Sequence, residues 1–278
     1  MNNQAQMRTR TPQRRRKKKK TNSFARLMLV MVVSALIVIG LIFLTGFLMG
    51  YRYIKTDTDA GTVKYFGTVD SSGLKKGTLF FADGEKAKVD GTSSTVKYKN
   101  GDVYTGGLKD LEKNGRGKYE FHNGDVYIGD FVNNTFNGNG EFRYANGDVY
   151  VGEYKDGLMH GKGKYTWADG TSYEGDFTEN KRNGKGKFTV SENVYYEGDY
   201  VNNAKHGTGK YVFENGDVYE GEYHNDARTG NGTYTWANGE SYTGGFLNND
   251  MHGTGKYVWP SGRVYEGTFE QGKIVVSN

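Results

Sequence analysis

GDVYVGEYKDGLMHGKGKYTWAD, residues 147–169, is the stretch that decides the fold, because its pattern recurs every 23 residues. Apolar and polar side chains alternate in Asp148–Tyr154 and in Lys164–Trp167, which predicts two β-strands. Residues 155–161 between them are predicted to form a glycine-bearing loop. Residues 168–170 place an Asp-Gly pair where a tight turn needs positive φ. Each unit is therefore predicted to be a β-hairpin that a tight turn joins to the next unit.

The repetition fills residues 101–278 as seven full units and a truncated eighth. Each unit has a turn glycine, replaced once by Asn193, and a Tyr-x-Gly motif that begins three positions later. The tyrosines of this motif are Tyr104, Tyr127, Tyr150, Tyr173, Tyr196, Tyr219, Tyr242 and Tyr265. A supersecondary unit repeated at a fixed period predicts a repeat architecture in which neighbouring units bury a continuous core.

Strand parity separates two faces of the predicted sheet. Tyr150, Gly152 and Tyr154 lie on one face, and Val151 and Glu153 lie on the other. One face is therefore aromatic and glycine-rich, and a ring can lie flat over the backbone where glycine has no side chain. This predicts an all-β fold with a single-layer antiparallel sheet. Rings near the wider loops are predicted to be partly exposed and to bind partners; they are Phe131, Tyr154, Phe177, Tyr200, Tyr223 and Phe246.

Upstream of the array the pattern is weaker. Residues 77–84 match residues 163–170, and Tyr65 with Gly67 resembles the Tyr-x-Gly step, but Ala87 stands where the next tyrosine is expected. Terminal units of a repeat array are atypical because they have a neighbour on one side only. We therefore predict that residues 61–100 are degenerate capping repeats and that residues 50–60 are a linker.

The repeat resembles the MORN-repeat family, whose 23-residue unit combines Tyr-x-Gly, a spacer, His-Gly-x-Gly and an aromatic strand. Residues 150–152 with 160–165, and residues 242–244 with 252–257, carry this pattern in full. The resemblance implies consecutive hairpins in an elongated, twisted antiparallel sheet with a grooved face. It also implies a role as a scaffold, a dimerisation module or a membrane or lipid binder, without catalysis.

Leu27–Met49 is a run of 23 uncharged, mostly apolar residues. A helix of this length reaches about 34 Å, enough to cross a hydrocarbon core of about 30 Å. A cleaved secretory signal peptide is the alternative, but its apolar region is usually about 7–15 residues and is followed by a small-x-small site. The run is longer and no such site follows it, so an uncleaved signal-anchor transmembrane helix is predicted.

Charge is distributed unequally along the chain. Residues 1–56 contain 12 of the 37 Lys and Arg and no Asp or Glu, which leaves 25 basic and all 32 acidic residues, a net charge of −7, for residues 57–278. Basic residues flanking a span stay on the cytoplasmic side. Residues 1–26 are thus predicted to be a cytoplasmic tail and the repeats to be extracytoplasmic, in a single-pass membrane protein. The basic tail explains the high pI without a nucleic-acid partner.

Neither a catalytic site nor a cofactor or metal site is expected from the sequence. The chain has no Cys, and no nucleophile elbow or complete phosphate loop is present. His160, His206 and His252 recur two units apart, about 19 Å along the sheet, too far to share one zinc ion. Acidic residues recur once per unit, notably Asp102, Asp148 and Glu153, and are interpreted as a solvated polar face.

The predicted function is a membrane-anchored scaffold whose repeat sheet binds envelope or membrane proteins or self-associates. An exposed edge strand near residues 272–277 would favour self-association, because free strand edges pair with other strands. The alternative is a surface binding module in which the aromatic face holds cell-wall glycan or membrane lipid. The net charge of the repeats disfavours anionic lipid headgroups.

Overall fold

The computed structural model describes residues 23–276, so the predicted basic tail up to residue 22 lies outside the described residues. The chain divides into two units at residues 51 and 52, and each is described by itself. The first contains helix α1, Ser23–Leu48. Its segment Ala25–Leu48, 24 residues, is long and apolar enough to cross a membrane. The helix begins four residues before the predicted span and ends one residue before its end.

The second unit is one long, open sheet of 21 consecutive strands. The strands are β1 (Tyr51–Thr58), β2 (Gly61–Asp70), β3 (Gly73–Phe80), β4 (Lys86–Asp90), β5 (Thr95–Tyr98), β6 (Val103–Lys109), β7 (Glu112–Glu120), β8 (Val126–Val132), β9 (Thr135–Arg143), β10 (Val149–Lys155), β11 (Leu158–Thr166), β12 (Ser172–Thr178), β13 (Lys181–Ser191), β14 (Val194–Val201), β15 (Ala204–Val212), β16 (Val218–His224), β17 (Ala227–Thr235), β18 (Ser241–Leu247), β19 (Asp250–Val258), β20 (Val264–Glu270) and β21 (Lys273–Ile274). Each strand pairs with the next one in the chain, and the repeat hairpins are antiparallel as predicted.

The prediction of a linker at residues 50–60 is wrong. Tyr51–Thr58 forms strand β1, which pairs with β2. Its side chains alternate between exposed and half-buried positions, so it obeys the same period of two as the repeats. The short polar sequence hides this signal because it lacks the Tyr-x-Gly motif.

The turn within each hairpin is tighter than predicted. β10 ends at Lys155 and β11 begins at Leu158, so residues 155–161 do not form a wide loop. Asp156 and Gly157 both have positive φ, 51° and 82°, as a two-residue type I′ turn requires. A β-bulge between Gly152 and Glu153 accommodates the residues that seemed to belong to a loop.

The core lies on the aromatic face, over the glycines. Tyr150 is fully buried, and its ring covers Gly152 of its own strand and Gly163 of the next. A Cβ atom on Gly163 would lie 2.6 Å from Cε2 of Tyr150, so no larger residue fits beneath the ring. The Tyr150 hydroxyl donates a hydrogen bond to the carbonyl oxygen of Glu153 at 3.0 Å. This ring-over-glycine contact gives a single sheet a buried core.

Candidate functional site

The six rings predicted to be partly exposed are buried, so that part of the prediction is wrong. Their exposed fractions are only 1–6%. In each repeat the ring packs edge-on between two successive core tyrosines; Phe177, for example, lies 5.2 Å from the Tyr150 centroid and 5.1 Å from the Tyr173 centroid. These contacts join neighbouring repeats. The affected residues are Phe131, Tyr154, Phe177, Tyr200, Tyr223 and Phe246.

A different set of rings on the same face is half-buried and accessible. We call it the aromatic ladder; it comprises Phe81, Tyr98, Tyr119, Phe121, Phe142, Tyr144, Tyr165, Trp167 and Phe188, followed by Tyr211, Phe213, Tyr234, Trp236, Tyr257 and Trp259. Consecutive centroids lie 4.4–6.0 Å apart in the first segment. In the second they lie 4.3–5.8 Å apart. The sheet therefore presents two continuous rows of ring surface.

The ladder is interrupted at the unit that lacks the turn glycine. Val190 stands where the neighbouring repeats have Trp167 and Phe213, and it is 46% exposed. Strand β13 continues to Ser191, which pairs with Val194. The connection between β13 and β14 around Asn193 is therefore shorter than the corresponding connection in the other repeats. The change of one turn thus divides the ladder into two segments.

Basic side chains lie among the rings of the aromatic face. Arg182, Lys205 and Arg228 occupy equivalent positions in three successive repeats, and we call them the cationic row. Lys113 occupies the corresponding position near the N-terminal end, with its Nζ 5.1–6.0 Å from the centroids of three tyrosine rings. Burial lowers the pKa of Lys113 to about 8. The cationic row was not predicted from the sequence, because the equivalent position in the quoted repeat, residue 159, was assigned to a loop.

A small cavity lies between the ladder and the cationic row. Its volume is about 150 Å³, and it is lined by Met159, Tyr165, Trp167, Phe177, Asn180, Arg182 and Asn203. A cavity with aromatic walls and one basic group can bind a ligand in which an apolar or planar group is next to an anionic group.

Three acidic residues of the turns are not part of a solvated face. Asp102, Asp148 and Asp217 are buried, with exposed fractions of 6–9%. Burial by itself would raise the pKa of Asp102, but hydrogen bonds from His122, Tyr119 and Asn100 outweigh it and lower the pKa to about 2. These carboxylates tie one repeat to the turn of the next. The expectation of a solvated polar face is wrong for these three residues, because the turn N–H groups need an acceptor, whereas Glu153 is exposed as expected.

The histidines do not converge on a metal site. In residues 23–276, no group of three or more His, Asp or Glu side chains is arranged to hold a metal ion. The ring of His206 packs against that of His224 with 4.8 Å between centroids. The Nδ1 atom of His206 is buried and has no hydrogen-bond partner among the described residues.

The opposite face carries a second concavity of about 870 Å³ over the central glycines. Basic residues along this face are paired: Lys162 with Asp176 at 2.7 Å, and Lys185 with Asp199 at 2.8 Å. Because the lysines of this charged face are already paired with carboxylates, the face has fewer free charges for binding a ligand than the aromatic face has.

Fold and site together define a single-sheet repeat protein. The aromatic ladder and the cationic row line one surface with the small cavity between them, and we call this surface the groove. The sequence model of the MORN repeat matches residues 104–126, 127–149, 150–172, 173–189, 196–218, 219–241 and 242–262. The chain belongs to the MORN-repeat family. The match is incomplete at the unit with Asn193, where the ladder is interrupted.

No match to the chain is found among curated proteins. Among solved structures, it is similar to the TCP10 domain of Danio rerio CPAP in complex with a STIL peptide, with 13% identity and a TM-score of 0.40 over 78% of this chain and 100% of that chain. It is also similar to the SAS-4 (dCPAP) TCP domain of Drosophila melanogaster with a proline-rich motif of Ana2 (dSTIL), with 15% identity and a TM-score of 0.29 over 70% and 90%.

Proposed function

We propose that the protein is a single-pass membrane-anchored scaffold whose MORN-repeat sheet lies outside the cytoplasm and binds other membrane or envelope proteins. The observation that carries the proposal is the aromatic ladder, two rows of half-buried rings on the face that also forms the core. Partly exposed aromatic surface of this extent favours protein binding, because rings supply large contact area at low entropic cost. The buried rings beneath it hold the ladder in place.

Trp167→Ala and Trp236→Ala in the full-length chain test partner binding. We expect both variants to lose crosslinked protein partners in native membranes, because each removes a large ring from within a ladder segment. Val151→Ala is the matched control, since Val151 is 51% exposed on the charged face. Equal recovery of partners by all three variants would contradict the proposal. Binding of purified wall glycan or lipid vesicles that depends on Trp167 would instead support the alternative ligand class.

Membrane orientation is proposed from the charges beside α1. Ten basic residues precede Leu27, whereas only Arg52 and Lys55 follow Met49 before the first acidic residue. Because the chain has no cysteine, Gln13→Cys and Lys155→Cys each introduce a single label site. In intact cells, an impermeant maleimide should label the variant at residue 155 and spare the one at residue 13. The opposite pattern would reverse the proposed topology.

Self-association is proposed through the C-terminal edge of the sheet. β21 is only two residues long and pairs with Phe269 and Glu270 of β20. Much of the β20 edge can therefore accept a strand from a second copy. Analytical ultracentrifugation of the detergent-solubilised chain should give a dimer mass that falls when Val264→Pro is introduced into the uncovered part of β20, because proline cannot donate to a paired strand. A monomer at every concentration would remove this part of the proposal.

A further inference from the structure

The cationic row places three unpaired charges against aromatic rings. The guanidinium of Arg182 lies 5.8 Å from the centroid of the ladder ring Phe188 and 5.0 Å from the centroid of the buried ring Tyr200. The Nζ atom of Lys205 lies 5.0 Å from the Tyr211 centroid, and the guanidinium of Arg228 lies 5.1 Å from the Tyr234 centroid. All three side chains are half-buried. Each cationic group therefore lies beside the ladder, where a bound segment would contact the cation and the ladder rings together.

These charges differ from the lysines of the charged face. Within residues 23–276, no carboxylate lies within 4.0 Å of the charged groups of the cationic row. Arg182 and Arg228 instead donate to backbone carbonyl oxygens of Asn203 and Asn249, both at 2.8 Å. Asp226 lies nearby, but its Oδ1 accepts the backbone N–H of Lys205 at 2.9 Å. The row thus retains positive charge for a ligand although the repeats as a whole are acidic.

The spacing of the row selects a ligand conformation. One repeat contributes two strands, so equivalent positions are about 9.6 Å apart across the sheet. A polyproline II helix has three residues per turn and rises about 9.3 Å per turn, so every third side chain points the same way. In a β-strand every second side chain points the same way, which gives a spacing of about 6.7 Å. This spacing does not match the spacing of the cationic row. A polyproline II segment crossing the strands would therefore stay in register over three repeats.

We propose that the cationic row binds an extended acidic segment of a partner protein in the polyproline II conformation, with one carboxylate at every third residue. The carboxylates pair with Arg182, Lys205 and Arg228, and the intervening apolar residues lie on the ladder rings. Aromatic-lined grooves are the usual docking surfaces for such segments. The inference rests on the proposed function, because it specifies the partner chemistry of the same groove.

The test uses the full chain in nanodiscs and a fluorescent (Glu-Pro-Pro)4 peptide. This probe spans about 37 Å, enough for three repeats. A peptide of two Glu-Glu-Pro-Pro-Pro-Pro blocks has the same composition but the wrong spacing, and (Gln-Pro-Pro)4 has the right spacing without charge. We expect (Glu-Pro-Pro)4 to bind about tenfold more tightly than either, as charge-assisted contacts in register require.

Variants separate the groove from the basic tail, which also attracts acidic peptides. Lys205→Gln should weaken (Glu-Pro-Pro)4 binding several-fold, and the variant with Arg182, Lys205 and Arg228 all changed to Gln should remove the difference between the three peptides. Lys210→Gln is the matched control, because Lys210 is paired with Glu220 on the charged face and should leave binding unchanged. Circular dichroism of each variant verifies that the sheet is retained, and Arg182→Lys should preserve binding because it keeps the charge.

The inference is overturned if spacing has no effect, or if Lys210→Gln weakens binding as much as Lys205→Gln does. Tighter binding of anionic vesicles than of the peptide, lost in the triple variant, would also overturn it in favour of a lipid ligand. If these peptides fail while Trp167→Ala still loses its native partners, the scaffold function stands and only the proposed ligand chemistry falls. If both fail, the groove is not a protein-binding surface.

Discussion

The hydroxyl of Tyr165 donates a 2.8 Å hydrogen bond to Oδ2 of Asp148, and this contact links the end of one hairpin to its beginning. The backbone N–H of Ala168 donates to the other carboxylate oxygen at 2.9 Å. Tyr119 makes the corresponding bond to Asp102, as does Tyr234 to Asp217. In each case a buried carboxylate joins the aromatic ladder to the tight turn, so the groove and the repeat connections depend on one another.

These carboxylates predict a loss of stability in acid. The pKa of Asp102 is about 2 in the folded protein, below the value of about 3.9 for an unfolded chain. Its stabilising contribution is therefore complete above about pH 4 and is lost as the pH falls toward 2. Urea midpoints measured from pH 7 to pH 2 should decrease in this window.

Asp102→Asn is the informative variant for this prediction. It should be less stable than the parent at pH 7, and the difference should shrink between about pH 4 and pH 2, because asparagine resembles the protonated side chain. Asp83→Asn, in an exposed turn, is the control. A constant difference between parent and Asp102→Asn across the pH range would contradict the prediction.

Gly163→Ala should strongly destabilise the sheet. The added Cβ would lie 2.6 Å from the buried ring of Tyr150, so either the ring or the strand must move. Overpacking of this kind costs about 1–3 kcal/mol. Thermal unfolding should show the loss, whereas the neighbouring Lys164→Ala, which removes an exposed ion pair, should cost no more than about 1 kcal/mol. Similar melting temperatures for the two variants would refute the ring-over-glycine core.

Tyr154→Phe should stabilise the protein by about 1 kcal/mol. The Tyr154 hydroxyl is buried and has no hydrogen-bond partner among the described residues, and phenylalanine occupies the same place in the next repeat as Phe177. Tyr150→Phe is a control of opposite sign, because it removes a hydroxyl that donates to the Glu153 carbonyl oxygen. Urea denaturation of both variants checks the prediction, which fails if the two changes have the same sign.

Lys113→Met should also stabilise the protein at pH 7, by at least about 1 kcal/mol. Burial holds the pKa of Lys113 at about 8, below its value in an unfolded chain, so keeping it charged costs folding free energy. The cost is relieved as the pH rises from about 8 to 10, and the advantage of methionine should decline there. Met159 shows that the position accepts this side chain, and exposed Lys109→Met is the control. If cation–π attraction outweighs burial, Lys113→Met will instead destabilise the protein.

Much of the fold could be predicted from the sequence, because each 23-residue unit repeats the same strand pattern and the same turn residues. The Tyr-x-Gly motif located the strands, and parity located the face on which Tyr150 and Gly152 lie. The two errors in the strand layout, at residues 51–58 and 155–161, arose where that local signal was weak. There strand pairing and a β-bulge, which are not local properties, set the structure.

The candidate site was less predictable, because exposure depends on neighbouring repeats. Tyr154 and Trp167 are both aromatic and share a face, yet only Tyr154 is enclosed by core tyrosines from two repeats. The same applies to Asp148, whose burial follows from the next turn along the sheet. Composition and spacing alone do not distinguish a ring that forms the core from one that covers it.

The sequence by itself determined the repeat, the two faces of the sheet and the helix long enough to span a membrane, because these follow from local period, side-chain parity and apolar length. Tertiary structure alone decided which rings remain accessible and which charges remain unpaired. Those properties arise when neighbouring strands of successive repeats come into register: Arg182 pairs with Phe177 across a turn and contacts the ring of Tyr200 from the following repeat. The groove is a product of stacking repeats, and no single repeat contains it.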